Sequence, residues 1–431
     1  MNYIVLGNKS YININLNEII DHFSKNVRCN FTIPDNNRGT KIDEQFLNCH
    51  VYNFIFDKFS KAKYEEFKKI YYDMYSNSYI DKTTKFLKSN LNNFTNIYNE
   101  PDFDIMYKNK IIHFFNENKI EFSKKYVLRS GYNAMLNALF QNKYKVFVHG
   151  FSIEGDSPSL ELNENDIHVS ECHNLKEEQN ILINLHKKNF VDATMCMLLD
   201  NEIPTFNCKN IKPKTYILNL FLKKFGIVVL EDYYLDSEIE KLYQESVHYL
   251  NLLPKDTLDD EDIKSDERIF NIQNNSDYIN KKFSKNPLFN IIAENYSGVK
   301  YKNMRKKTLV NRVTFEENII KNSGAGWHRD NHDNQFKAIM YLTDVNEKNG
   351  NFQFITNSSK HHVGYPKPRT ESYNTRFHDE TIDDLIKNNE KCKIHNIVGK
   401  KGAIILVDTT YIHRGNIIEE GERVALTEYF F

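Results

Sequence analysis

Residues 326–334 read GWHRDNHDN, and the fold of the C-terminal half turns on how this stretch is taken. It holds two histidines, two aspartates and the chain's single tryptophan. Its core, His328-Arg329-Asp330, fits half of a metal site, the HRD of a kinase catalytic loop, or a solvated polar turn. The kinase loop is excluded by spacing: an asparagine is required five residues after the aspartate, where Gln335 stands, and Asn334 falls one early. Neither a glycine-rich loop, a VAIK-like lysine nor a DFG accompanies it.

A metal site has more support. His328 and Asp330, two apart, point to the same side of an extended segment. Two imidazoles and one carboxylate on one face of an octahedral iron(II) leave three positions open. The second imidazole comes from GAIILVDTTYIHRGNIIEEGERVALTEYFF (402–431), which carries His413 and, ten positions on, Arg423. An arginine there can grip a carboxylate through a bidentate pair, which a lysine cannot match. His332, Asp333, His361 and His362 are read as solvated or substrate-side groups. Asp408 is either an acceptor that orients the His413 turn or plain turn chemistry.

Working outward, the segments 308–315, 336–345, 351–356, 402–408 and 423–431 are short apolar or alternating runs between Gly/Asn turns. They predict an all-β sandwich or barrel. Upstream, LFLKKFGIVVLEDYYLDSEIEKLYQESVHYL gives a helix, the strand GIVVLEDYY, and a helix capped by Asp236 with Glu238 and Glu240 in its first turn. Residues 254–287 are polar and charge-rich, as expected of a long surface loop or lid. Periodicity lapses at 200–216, where two prolines stand, and the domain boundary is placed there.

The N-terminal half reads differently. YIVL (3–6) runs into Gly7-Asn8, residues 58–98 are helical in pattern, and 126–151 gives strand, Ser-Gly turn, amphipathic helix and the strand KVFVHGF. Residues 173–199 are again helical, ending in ATMCMLL. Strands alternating with helices predict a parallel sheet flanked by helices.

Bulk properties exclude several classes. At 431 residues the chain exceeds one ordinary core, so two domains are expected. A net charge of −1 gives no footprint for nucleic acid. Six cysteines, at 29, 49, 172, 196, 208 and 392, form no CxxC pair, so neither a thiolate zinc site nor a disulfide framework is indicated. The N-terminus lacks a basic, then apolar, leader, and no run approaches the ~18 apolar residues of a membrane span. A reducing, cytoplasmic location is expected.

These residues carry two family resemblances. Residues 218–431 resemble the phytanoyl-CoA dioxygenase-like Fe(II)/2-oxoglutarate-dependent oxygenases. FGIVVLEDYYLDSEIEKL is similar to the family's opening segment, GWHRD to its W/xHxD, AIMYLTDVNEKNGNFQFITNSSKHH to its NG-bearing hairpin, and GAIILVDTTYIHRGN to its distal-histidine strand. ITNSSKHH departs from the family's Pro-Gly-Ser-His. The resemblance implies a double-stranded β-helix (a jelly-roll), with His328, Asp330 and His413 on iron(II) and Arg423 on the C5 carboxylate of 2-oxoglutarate. It further implies oxygen-dependent oxidation of a substrate C–H bond.

Residues 1–210 resemble the eukaryotic-type sialyltransferases and their bacterial relatives. The matching pieces are VLGNKSY, DNNRGTKID (35–43), LRSGYNAMLNALFQNKYKVFVHGF (128–151) and His173 with Glu178. That resemblance implies a Rossmann-like fold without metal and inverting transfer from a CMP-sugar. Asn8 and Asn36 or Asn37 would contact the nucleotide, Ser130-Gly131 the cytidine or phosphate, and His173, with Glu178, would do acid/base work. Together the halves imply an enzyme of bacterial surface-polysaccharide assembly acting on a sugar or glycoconjugate. Two alternatives stay open: an oxygenase of a small metabolite with a non-catalytic recognition module, and a non-enzymatic cupin-like binding protein.

Overall fold

The structure, a computed structural model, describes residues 2–7, 14–29, 34, 39–41, 43–47, 52–53, 60–62, 65, 77–94, 96–123, 128–141, 145–153, 175–255, 266–317, 326–331, 335–364 and 375–431. The chain forms two compact units: Met1–Glu202 with Asn210–Pro213, and Ile203–Lys209 with Lys214–Phe431.

In the first unit, β1 (Asn2–Leu6), β2 (Lys25–Cys29), β3 (Glu44–Leu47), β4 (Asn96–Asn99), β5 (Lys145–His149) and β6 (Val191–Asp192) form one sheet. Every pairing is parallel, in the order β4-β3-β2-β1-β5-β6. Parallel strands are covered on both faces, and β1 and β5 are accordingly buried over four consecutive residues each. The longer helices described in this unit are Asn77–Ser89, Glu100–Glu117, Ser130–Phe140 and Leu175–Lys187.

Three expectations change here. Within 58–98, the described residues are helical at 61–62, 65 and Asn77–Ser89, and Asn96–Asn99 is the edge strand β4, because its backbone pairs with β3. Ser130 and Gly131 are the first two residues of a helix rather than a separate turn, and the strand expected before them falls largely outside the described residues. Of the helical run expected over 173–199, only Leu175–Lys187 is α-helical. The apolar ATMCMLL forms a buried 3-10 turn over Thr194–Met197.

The second unit has a seven-stranded and a three-stranded sheet. The strands are β7 (Thr205–Asn207), β8 (Ile227–Glu231), β9 (Asp266–Phe270), β10 (Lys306–Thr314), β11 (Phe336–Tyr341), β12 (Phe352–Ile355), β13 (Ile394–Ile397), β14 (Ile404–Asp408), β15 (His413–Gly415) and β16 (Glu422–Phe430). The large sheet runs β7-β8-β14-β11-β16-β10-β9 and the small one β13-β12-β15. All neighbours are antiparallel except β7 on β8. From β11 onward the chain shuttles between sheets, β12, β13 and β15 joining the small one and β14 and β16 the large. Phe352, Phe354 and Ile397 of the small sheet share a core with Val229, Tyr341, Ile405 and Val407 of the large. The result is the two-sheet arrangement of a jelly-roll.

The lid expected over 254–287 is instead built structure where it is described. β9 pairs with β10, and helical turns lead to the helix Pro287–Ser297. Charged side chains hid this, because Asp266 and Arg268 pair with each other on one face of β9. Likewise, Asp236 is the first residue of the helix Asp236–Leu252, not its cap. The Glu238 carboxylate accepts the Leu235 N–H at 3.1 Å and so closes that helix start.

Candidate metal centre

His328 lies in an extended segment that bridges two others. Its N–H donates to the His413 carbonyl at 3.0 Å, and the His413 N–H returns a bond to the His328 carbonyl at 2.9 Å. This exchange sets the two imidazoles side by side, with ring centroids 4.4 Å apart. The Asp330 N–H donates to the Thr409 carbonyl at 3.0 Å, which brings the carboxylate to the same place. Arg329 leaves on the opposite side and is almost fully buried. It donates to the Ser358 carbonyl at 2.6 Å and to that of Gly364 at 3.0 Å. Trp327 sits in the core with Phe377, Ile382 and Ile412, and its ring is covered by the Arg414 guanidinium at 4.3 Å. The stretch GWHRD thus has apolar and cationic anchors on one side and the His328 and Asp330 side chains on the other.

One ligand atom from each of His328, Asp330 and His413 lies within 4.8 Å of the others. Asp330 Oδ1 is 3.7 Å from His328 Nε2, and Asp330 Oδ2 is 3.6 Å from His413 Nε2. Each Nδ1 is taken by a backbone carbonyl, Gly326 for His328 at 2.8 Å and Tyr411 for His413 at 2.9 Å. Those carbonyls fix the tautomer with the proton on Nδ1 and leave both Nε2 lone pairs facing the carboxylate, as metal ligation requires. Burial pushes both histidines below their usual range, His413 to about 4, so both are neutral near pH 7. Burial is the largest influence on Asp330 and opposes its ionisation, but Lys337 together with His413 and His328 overcomes it and holds the carboxyl well below its ordinary value.

The triad opens on a cavity of about 190 Å³ in the second unit. One face of the large sheet lines it: Lys337, Ile339 and Tyr341 from β11, Arg423 to Tyr429 at alternate positions of β16, Leu309 and Asn311 from β10, and Asp266 and Arg268 from β9. Arg423 donates to the Gly350 carbonyl and, at 3.1 Å, to Asn311 Oδ1. Its Nε is buried with no hydrogen-bond partner among the described residues. Asn311 in turn donates to Asp266, whose carboxylate accepts both Nε and Nη2 of Arg268. A chain of polar groups therefore orients Arg423 toward the cavity. Such a guanidinium, opposite a His-Asp-His set, suits a ligand with a carboxylate at one end and metal-binding oxygens at the other.

The expected neighbours are placed as follows. His361 and His362 are exposed, and His362 Nδ1 pairs with Ser359 Oγ at 2.7 Å. Asp408 accepts from the Thr410 N–H at 2.9 Å and hydroxyl at 2.7 Å, so it closes its own turn and does not touch His413. His332 and Asp333 lie outside the described residues. Sequence reasoning missed Lys337, Asn311, Asp266 and Arg268. A usable signal existed for Lys337, a lone charge in register with the apolar inward positions Ile339 and Tyr341.

In the first unit, Asn8, Asn36, Asn37 and His173 lie outside the described residues. Ser130 and Gly131 start their helix beside Phe151, whose Cε1 would lie 2.9 Å from a Cβ at Gly131. A Cβ at Gly7 would overlap the Gly150 carbonyl, so Gly7, Gly131 and Gly150 converge where β1 and β5 end. This is the switch point of the sheet, where open α/β sheets bind ligands. Glu178 is buried and engaged. It accepts the Arg129 N–H at 2.6 Å and pairs with the Arg129 guanidinium.

No protein family and no curated protein matches the chain. Solved structures do match about half of it. The non-heme alpha ketoglutarate dependent epimerase SnoN from nogalamycin biosynthesis is 15% identical with a TM-score of 0.41, over 50% of this chain and 82% of that one. EctD from S. alaskensis is 17% identical with a TM-score of 0.38, over 49% and 75%. HygX from Streptomyces hygroscopicus, with nickel, 2-oxoglutarate and hygromycin B bound, is 14% identical with a TM-score of 0.34, over 49% and 84%. SnoN is also described with Fe3+ and alpha ketoglutarate, and the triad of this chain is compatible with such an ion.

Proposed function

We propose that residues 218–431 are an Fe(II)/2-oxoglutarate-dependent oxygenase that uses molecular oxygen to oxidise a C–H bond of a sugar or glycoconjugate. The observation that carries this is one cavity with His328, Asp330 and His413 at one wall and the Arg423 guanidinium at another. Bound by the triad, iron(II) would supply oxygen activation, with 2-oxoglutarate as the two-electron reductant. The balance is substrate C–H, 2-oxoglutarate and O2 giving C–OH, succinate and CO2. The chain's own part is positional. Gly326 and Tyr411 carbonyls hold the imidazoles as Nε2 donors, Asn311 aims Arg423 at the cosubstrate carboxylate, and Ile339 and Phe352 exclude water from the wall between.

The same reading makes residues 1–210 a glycosyltransferase-like domain that takes a CMP-sugar, which is where the glycan assignment and a role in surface-polysaccharide synthesis come from. Its support is the resemblance of 128–151 together with glycines gathered at the switch point of a parallel sheet. The test is succinate formation with iron(II), 2-oxoglutarate, ascorbate and candidate CMP-sugars or glycans. Succinate that never exceeds the uncoupled background with any glycan overturns the substrate assignment. Glu178, locked to Arg129, favours the alternative of a small-metabolite oxygenase with a recognition module. In that case His173→Ala leaves every activity intact, whereas a working transferase loses sugar transfer.

A further inference from the structure

We infer that Lys337 is a stand-in cation at the metal site, and that it makes metal and an anionic co-ligand bind in concert. The inference rests on the oxygenase reading only in taking His328, Asp330 and His413 as metal ligands. Lys337 enters the cavity from β11 with its side chain 8% exposed, and lysines are almost never buried unless paired. Its ammonium pairs with Asp330 Oδ2, the same oxygen that faces His413 Nε2 at 3.6 Å. The register of β11 on β16 sets Lys337 opposite Tyr429, whose ring lies 4.3 Å from Nζ and confines the ammonium from the other side. Further along the same inward face come Ile339 and Tyr341, so Asp330 is the carboxylate the lysine is aimed at.

A divalent ion held by Asp330 sits roughly 2 Å from its oxygen, on the carboxylate that Lys337 already neutralises. Two like charges so close repel strongly in an enclosed site of low effective dielectric. Metal entry must therefore draw the carboxylate away from the ammonium and leave the two cations facing each other. A dianion that reaches both relieves that repulsion, and 2-oxoglutarate, or an anionic group on the substrate, has the required charge. Coupling of this kind is reciprocal, so metal must raise anion affinity by the factor that anion raises metal affinity. Lys337 is a positioning residue in this scheme and not a metal ligand.

The experiment is calorimetric titration of the full chain with Mn(II), with and without 2-oxoglutarate, in wild type, Lys337→Met, Lys337→Gln and Lys337→Arg. The neutral variants are expected to bind Mn(II) alone about tenfold tighter than wild type or better, and the enhancement by 2-oxoglutarate should shrink by a similar factor. Lys337→Arg keeps the charge and should stay within about threefold of wild type on both counts. Neutral variants that bind Mn(II) alone no tighter than wild type overturn the inference and leave the oxygenase reading standing. Loss of folded circular dichroism in both neutral variants also overturns it, because Lys337 is then a folding residue. Absence of Mn(II) binding in wild type removes the metal reading, and this inference with it.

Discussion

Arg423 and Arg329 show how one residue type serves two ends in this protein. Arg423 keeps one buried N–H, at Nε, without a partner among the described residues, while its two Nη groups are fixed by Gly350 and Asn311. A planar fork held this way presents a ready donor to a carboxylate, which the flexible ammonium of lysine cannot reproduce. Arg423→Lys should therefore raise KM for 2-oxoglutarate by roughly tenfold to a hundredfold, the equivalent of about 1.5–3 kcal/mol for a charged hydrogen bond. Mn(II) affinity in the absence of 2-oxoglutarate should be unchanged, and an equal loss of both would show that Arg423 supports the metal site instead. Arg329 points away from the His328 and Asp330 side chains and ties their segment to the carbonyls of Ser358 and Gly364. Arg329→Ala leaves those buried carbonyls unmet. It should cost about 2–4 kcal/mol of stability by chemical denaturation, with weaker metal binding as a consequence. That His328, Asp330 and His413 gather, with Arg423 on the same cavity, was legible in the sequence from residue type and order. Lys337 was legible only as a lone charge on an apolar strand face, and Asn311 not at all, since their partners are set by which residue each faces across the sheet.

At the scale of elements, the helix Thr215–Phe225 and the turn before His413 depend on one glycine. Gly226 ends the helix at φ +75, its N–H donating to the Leu222 carbonyl, and its own carbonyl accepts the Asp408 N–H at 2.8 Å. A Cβ there would lie 2.6 Å from the Tyr411 ring, and the Tyr411 carbonyl is what holds His413 Nδ1. Gly226→Ala should cost about 2–4 kcal/mol, from the left-handed backbone and the displaced ring together, and should weaken metal binding. Gly298 has φ +74 with nothing within 4 Å, so Gly298→Ala should cost only about 1 kcal/mol and spare the metal. Equal costs at the two glycines would refute the link from helix cap to metal turn.

A second joint lies on the outer face of β16. Glu428 is fully buried, accepts from Ser284 and Thr308, and has Lys306 Nζ at 3.8 Å. Burial outweighs those donors and pushes its carboxyl up to about 7. Raised above its unfolded value, the group contributes stability that is present below about pH 4.5 and lost as pH rises through 7. Glu428→Gln should remove that dependence and be more stable than wild type at pH 8, by something on the order of 1–3 kcal/mol in urea melts. A wild-type stability that is flat from pH 5 to 8 would contradict the assignment.

For the molecule as a whole, the two halves were legible as different classes because period and composition change between them, while the cut itself was not. Parallel strands such as YIVL and VFVH read as continuous apolar runs, and β10, β11 and β16 show the alternation or apolar density of a sandwich. The join at 200–216 is polar and aperiodic, so sequence alone places a boundary without saying which side each residue serves. In the structure Thr205–Asn207 is a strand of the second unit, laid parallel on β8, whereas Asn210–Pro213 belong to the first. Phe206 is fully buried, its ring edge-on to Phe221 at 5.1 Å. A fragment beginning at residue 218 discards β7 and the first turn of the helix Thr215–Phe225, uncovering Phe221 and the edge of β8. Burial of one phenylalanine contributes about 1.5–3 kcal/mol, and an uncovered strand edge invites association. The fragment 203–431 should therefore melt in one transition and bind Mn(II) as the full chain does. The fragment 218–431 should melt at least about 5 °C lower, or associate at micromolar concentration in sedimentation. Indistinguishable melting of the two fragments would show that β7 is dispensable and that the sequence boundary is the physical one.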